Sequence, residues 1–239
     1  MTEKTFHLFI IFHKTIYDEC YRHISQEDLD AHFTFIAVNE SIPKTYTPNK
    51  YRIINEWEMP VYNPRLQQQK YLDNSVLYHM FANQTYTSYD FIGFFQYDMP
   101  FLTNVVDDIR RGLANDVKAF YGKNLYPEPL QYVMHTQYFN DFIMPDESDC
   151  LPMMAYYEKY FDKTISRTSV YPYCNTFVIE SAVFEKIMTW LMTTYDMLPV
   201  TENIASIYER LAGIAIGEEY QDKNIQYLDI IHDRNITSW

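Results

Sequence analysis

Phe91-Ile92-Gly93-Phe94-Phe95-Gln96-Tyr97-Asp98-Met99-Pro100 is the stretch on which the fold turns. Its first residues are apolar or glycine, short in run and rich in aromatics, which reads as a strand buried on both faces. The run ends on an acid. A carboxylate at the end of a hydrophobic strand is costly to desolvate unless something pairs with it or binds it. Just beyond, Thr103 or Asn104 can cap a helix whose Val106, Ile109 and Leu113 recur at i, i+3 and i+7. A buried strand passing straight into an amphipathic helix is the repeating unit of an α/β protein.

The same unit recurs on both sides of this stretch. Toward the amino end, Phe6–Phe12 reads as a buried first strand, Phe33–Val38 as a second and Tyr51–Asn55 as a weaker third. A helix begins near Asn74, capped by Asn74 or Ser75, with Val76, Leu77, Met80 and Phe81 on one face. Toward the carboxyl end the pattern degrades between Asp116 and Val170, where Pro127, Pro129, Pro145 and Pro152 interrupt it, although Tyr156–Phe161 looks helical. It resumes with a strand at Asn175–Glu180, a helix from Ser181, a helix capped by Thr201 and a last strand at Ile225–Ile231. The expectation is an α/β fold with a central, mixed but mostly parallel sheet flanked by helices. No linker-like stretch divides the chain, and only 5 glycines occur, so residues 1–239 are expected to form one domain.

Composition narrows the function. There are 19 basic and 32 acidic side chains, net −13, which excludes the basic footprint of a nucleic-acid binder and disfavours anionic membrane surfaces. Cys20, Cys150 and Cys174 are too scattered for a zinc site or a disulfide framework. The apolar run Leu8–Phe12 is too short for a signal or a membrane span, so a cytoplasmic location is expected. The 23 tyrosines are put down mainly to codon bias, with which a cleft where flat hydroxyl-bearing rings meet sugars is compatible.

In open α/β sheets ligands bind beyond the carboxyl ends of the strands. That rule picks out three places. After the first strand, Phe12, His13 and Lys14 can meet a base or a phosphate. After the strand at 91–97, Gln96 and Tyr97 flank Asp98, a candidate ligand for Mg²⁺ or Mn²⁺, which favour carboxylates plus substrate phosphates. After the last strand come His232, Asp233 and Arg234, of which His232 can join the metal site and Arg234 can neutralise a phosphate. Glycine-rich phosphate loops are absent, and so is the G-x-S-x-G elbow of α/β hydrolases.

Several segments resemble the small GT-A glycosyltransferases of large DNA viruses. They are Tyr62-Asn63-Pro64, Asn74–Asn83, Tyr89–Asp98, Asn175–Ile179 and Arg210–Glu218, together with His13-Lys14. The likeness is greatest to the glycosyltransferase domain of a chlorovirus protein that builds the capsid glycan, and bacterial capsule and lipopolysaccharide glycosyltransferases share the layout. The resemblance implies a nucleotide-sugar donor, UDP-linked, and a hydroxyl of a growing glycan as acceptor. It also implies a divalent metal and, for a viral protein, residence in the host cytoplasm. Glu218, Glu219 and Asp233 are the carboxylates put forward to take the acceptor's proton. One departure stands out: where these enzymes carry Asp-x-Asp, this chain has Gln96-Tyr97-Asp98. A catalytically inactive glycosyltransferase-like module that binds a nucleotide or a glycan is the alternative.

Overall fold

The computed structural model describes residues 4–68, 73–122, 147–166, 171–172, 174–195, 197, 204–221 and 223–231. Seven strands form one sheet: β1 (Phe6–Phe12), β2 (Phe33–Ala37), β3 (Ile53–Asn55), β4 (Phe91–Gln96), β5 (Ala119–Gly122), β6 (Phe177–Glu180) and β7 (Ile225–Leu228). Their order is β3-β2-β1-β4-β6-β5-β7. Neighbours run parallel except β6, which is antiparallel to both β4 and β5. The mixed, mostly parallel sheet expected from the sequence is therefore present.

Helices cover both faces. They are α1 (Gln26–His32), α2 (Pro64–Gln68), α3 (Asp73–Ala82), α4 (Val105–Ala114), α5 (Glu147–Phe161), α6 (Ser181–Thr194) and α7 (Ile204–Glu219). Side chains alternate across a strand, so one sequence feeds two cores. From β1, Phe9 and Ile11 join Phe94, Phe177, Leu77, Ile187 and Leu211 against α3, α6 and α7. Phe6, Leu8, Ile10 and Phe12 point the other way, to Leu29, Phe95, Val106 and Ile109 against α1 and α4. Gly93 leaves room for the side chains of both neighbouring strands: a Cβ there would lie 2.7 Å from Leu8 and 2.8 Å from Val178.

Local chemistry explains the boundaries. Asn104 caps α4, its side chain accepting from the Val106 and Asp107 N–H groups at 3.1 and 3.4 Å. The expected cap at Asn74 or Ser75 is not what forms. The helix already includes Asp73, and the Asn74 and Ser75 side chains turn inward to Ala205 O and Glu56 instead. The last strand stops at Leu228, and Ile230 makes a separate bridge to Phe101. Thr201 lies outside the described residues. No helix among the described residues is long and apolar enough to cross a membrane.

Candidate active site

The strand order reverses between β1 and β4: β2 and β3 continue to one side of β1, whereas β4 lies on the other. At such a switch point the loops leaving adjacent strand ends diverge and leave a crevice. Here the crevice is an open pocket of about 290 Å³. Ile11, Phe12 and His13 from the end of β1, Val38, Asn39 and Ile42 from beyond β2, and Gln96, Tyr97 and Asp98 from the end of β4 line it. Gln67 and Asp73 close its remaining side.

The apolar half of the pocket is held by rings and a lysine. The His13 ring meets Tyr97 edge-on at 5.0 Å, with Tyr97 Oη 3.4 Å from Nε2, and Tyr17 stacks on the other side of Tyr97. Burial lowers the His13 pKa, Asp98 opposes that shift, and Lys44 and Lys14 reinforce it. Phe12 is fully buried, with the edge of Tyr46 against it. Lys44 Nζ donates to Asn39 O (2.7 Å) and Ile42 O (2.6 Å), fixing the loop beyond β2 at the left-handed Asn39. Lys14 is exposed, and its carbonyl accepts from Thr45 N–H, tying the two loops together.

Asp98 sits in the turn after β4 and is 5% exposed. Burial first, and then the Asp98 charge, push the Tyr97 phenol well above its ordinary value. Gln96, the last residue of β4, turns to Asp73 Oδ2 and Cys174 O, each at 3.4 Å.

The sequence reading did not single out the polar cluster that Gln96 reaches. Asn175 Nδ2 donates to Asp73 Oδ2 (2.8 Å) and Asn74 Oδ1 (3.1 Å). Cys174 and Asn175 both hold left-handed backbone, φ 50° and 49°, a conformation uncommon for these residues and concentrated at functional sites. Burial raises the Asp73 pKa, and hydrogen bonds from Asn175, Gln96 and nearby backbone oppose it. Glu209, inside α7, faces this cluster. Burial and then the Asp73 charge push its carboxyl up to about 8, against Arg210 and a hydrogen bond from Cys174. Two carboxyls thus share one environment, and one of them keeps its proton near neutral pH. The clue in the sequence was an acid one residue after the inward-facing Tyr208 of an apolar helix.

Behind Gln67 lies a second cluster, fully buried. Glu56 accepts from His79 Nδ1 (2.8 Å), Ser75 Oγ (2.6 Å) and Gln67 Nε2 (2.5 Å). His79 Nε2 accepts from Asn63 N–H, so this imidazole is the Nδ1–H tautomer.

Glu218 and Glu219 are not brought to the pocket. The start of α7 touches Asn74 at the carboxyl end of the sheet, and about 20 Å of helix separates it from Glu219. At that far end Tyr220 Oη receives Glu180 N–H, and Glu180 pairs with Phe91, the first residue of β4. Glu218 accepts from Ser166 N–H, and Glu219 binds Lys163 and Lys186 at 2.9 and 2.8 Å. His232, Asp233 and Arg234 lie outside the described residues.

No family model matches the chain, and no curated protein matches it. Among solved structures it is similar to the apo form of WbbM, a bifunctional glycosyltransferase. Identity is 13% and the TM-score 0.49, over 95% of this chain and 45% of that one. The chain thus spans less than half the length of that protein.

Proposed function

We propose that the protein is a GT-A-like glycosyltransferase that moves a sugar from a nucleotide-sugar donor to a glycan hydroxyl. The observation that carries this reading is the pocket at the β1/β4 switch point, with an apolar half beside His13 and a buried carboxylate, Asp98, at the end of β4. A base fits between the β1 and β2 loops near Phe12, His13 and Asn39, and the diphosphate then falls toward Asp98. The UDP-linked donor, the glycan acceptor, the viral kinship and the host setting rest on the motif resemblance, and the cytoplasmic location on the shortness of the apolar run Leu8–Phe12.

The described residues gather no group of three metal-ligating side chains. Asp98, a buried carboxylate in the pocket lining, would hold an Mg²⁺ or Mn²⁺ ion as its single protein ligand, the diphosphate and water supplying the others. Such an ion supplies charge stabilisation to the departing diphosphate. His232 and Arg234 are proposed to add to it.

The chain's own chemistry is assigned to Asp73 and Glu209. Asp73 lines the pocket and is oriented by the amides of Asn175 and Gln96. It takes the acceptor's hydroxyl proton as the new C–O bond forms and the bond to the diphosphate breaks, the electron pair leaving with the diphosphate. A raised pKa makes Asp73 a stronger base than a solvated aspartate. Glu218 and Glu219 have no part in this assignment, and Asp233 remains a proposed carboxylate partner.

Thermal shift with UDP, GDP and CMP, with and without Mn²⁺, tests nucleotide binding. Asp98→Asn is expected to abolish metal-dependent transfer with unchanged melting, and wild-type turnover in that variant removes Asp98 from the site. The single acid of Gln96-Tyr97-Asp98 favours a second reading, an inactive nucleotide- or glycan-binding module. Nucleotide binding without donor hydrolysis or transfer selects it.

A further inference from the structure

The directions of three amide hydrogen bonds specify the chemistry of the pocket wall opposite His13. Gln67 Nε2 donates to Glu56 Oε2 and Ser75 Oγ. Its orientation is fixed, because a flipped amide would set Oε1 against a carboxylate, and the Ser75 hydroxyl has given its proton to Glu56. Gln96 Nε2 faces two acceptors, Asp73 Oδ2 and Cys174 O, and cannot flip for the same reason. Asn175 Nδ2 faces Asp73 Oδ2 and Asn74 Oδ1. All three amides spend their N–H groups inside the protein and keep their oxygens.

Asn175, 3% exposed, stands behind the pocket lining and holds Asp73 in place, and among the described residues its Oδ1 has no hydrogen-bond partner. Gln67, Gln96 and Asp73 line the pocket directly. The wall therefore offers amide oxygens and a carboxylate. Phosphates and carboxylates carry no donors at neutral pH and find nothing to bond there, whereas a sugar hydroxyl does. Among the described residues, Lys14 and Lys44 act on His13, on the opposite side of the pocket, and Arg210 acts on Glu209, an acid that answers its charge.

We infer that this wall is the subsite for the transferred sugar, that it takes a neutral, hydroxyl-rich sugar, and that it rejects a uronic acid. The inference rests on the nucleotide-sugar reading above. Calorimetric titration of the full chain with UDP, UDP-glucose and UDP-glucuronate in Mn²⁺ tests it. UDP-glucuronate is expected to bind about tenfold or more weaker than UDP-glucose, since an unpaired like charge is strongly disfavoured. Asp73→Asn, isosteric and no longer charged, should close that gap to within about threefold. Gln67→Met, in a separate element, should weaken UDP-glucose while leaving UDP unchanged, which keeps the test alive if the Asp73 variant fails to fold. UDP-glucuronate binding as tightly as UDP-glucose overturns the inference and leaves the nucleotide reading standing. Failure of UDP itself to bind overturns the UDP-linked donor on which the inference is stated, and the inference with it.

Discussion

Two buried acid clusters stand on either side of Gln67, and they are built to opposite specifications. Around Glu56 the hydrogen-bond accounting closes. The carboxylate receives His79, Ser75 and Gln67, and the far nitrogen of His79 receives Asn63 N–H. Around Asp73 it does not. A second carboxyl, Glu209, crowds it, Asn175 Oδ1 is left over, and the backbone at Cys174 and Asn175 is left-handed. Closed networks rigidify, and an open one leaves hydrogen-bonding capacity that a catalytic role can use. The difference separates an acid that supports the pocket from behind Gln67 from one that lines it.

The comparison breaks most visibly at Glu56. Leaving a buried donor unsatisfied typically costs about 1–3 kcal/mol, and Glu56→Ala would orphan the donors of His79, Ser75 and Gln67 at a site where Glu56 and His79 are both 0% exposed. Glu56→Ala should lower stability in urea on that scale. Asp73→Asn should cost far less, because it removes a charge that its surroundings already disfavour. Equal losses in the two variants would erase the distinction.

Activity should respond the other way. Asp73→Asn is expected to lower turnover by ~10²-fold or more, the scale of a lost general base, with melting retained. Steady-state kinetics with a sugar donor of the nucleotide that the screen selects and a glycan acceptor that supports transfer decide it. Turnover within twofold of wild type would move the base elsewhere.

Glu209 sharpens the contrast through pH. Its folded pKa, about 8, lies above the ordinary 4.5. The folded state therefore holds this proton more tightly than the unfolded chain. Its stabilising effect is complete below about 4.5 and is lost as pH rises through 8. Glu209→Gln should melt like the wild type near pH 4.5 and higher than it at pH 8.5, by ~2 °C or more, the scale of about 1 kcal/mol in a protein of this size. A difference that shrinks as pH rises would mean that Glu209 is ionised and paired.

The sequence yielded these two clusters unequally with the rest of the molecule. β1 and β4 were legible because an unbroken apolar run needs burial on both faces, whatever the topology. Asp98 was legible because it ends such a run. β5 was not: Ala119–Gly122 is four residues long and borders the stretch where prolines interrupt the pattern. Asp73 was hidden by its neighbours, since Asn74 and Ser75 look like caps, and only the approach of Ala205 and Glu56 turns them inward. Glu56 sits in Glu56-Trp57-Glu58, which reads as a polar surface turn; its burial comes from His79, 23 residues away. Partnerships of that reach carry no local period. The same limit placed the candidate base at Glu218 and Glu219, where adjacent acids at a helix end drew attention that the interior acid Glu209 did not.

The smallest expected effect belongs to that far end. Glu219 is held by Lys163 and Lys186, whose side chains are 42% and 41% exposed. Their hydrogen bonds pull its pKa below the ordinary value despite an opposing contribution from burial. The ion pairs therefore favour the folded state above about pH 4.5 and stop doing so as the acid protonates. Pairs this open to solvent contribute about 0–1 kcal/mol. Glu219→Gln should cost no more than that at pH 7, and its cost should vanish in acid. Turnover should not change, because about 15 Å of helix separates this acid from Glu209, the residue of α7 that faces Asp73. A tenfold fall in turnover with unchanged melting would show chemistry at the amino end of the sheet, and the pocket at the β1/β4 switch point would lose its claim to the reaction.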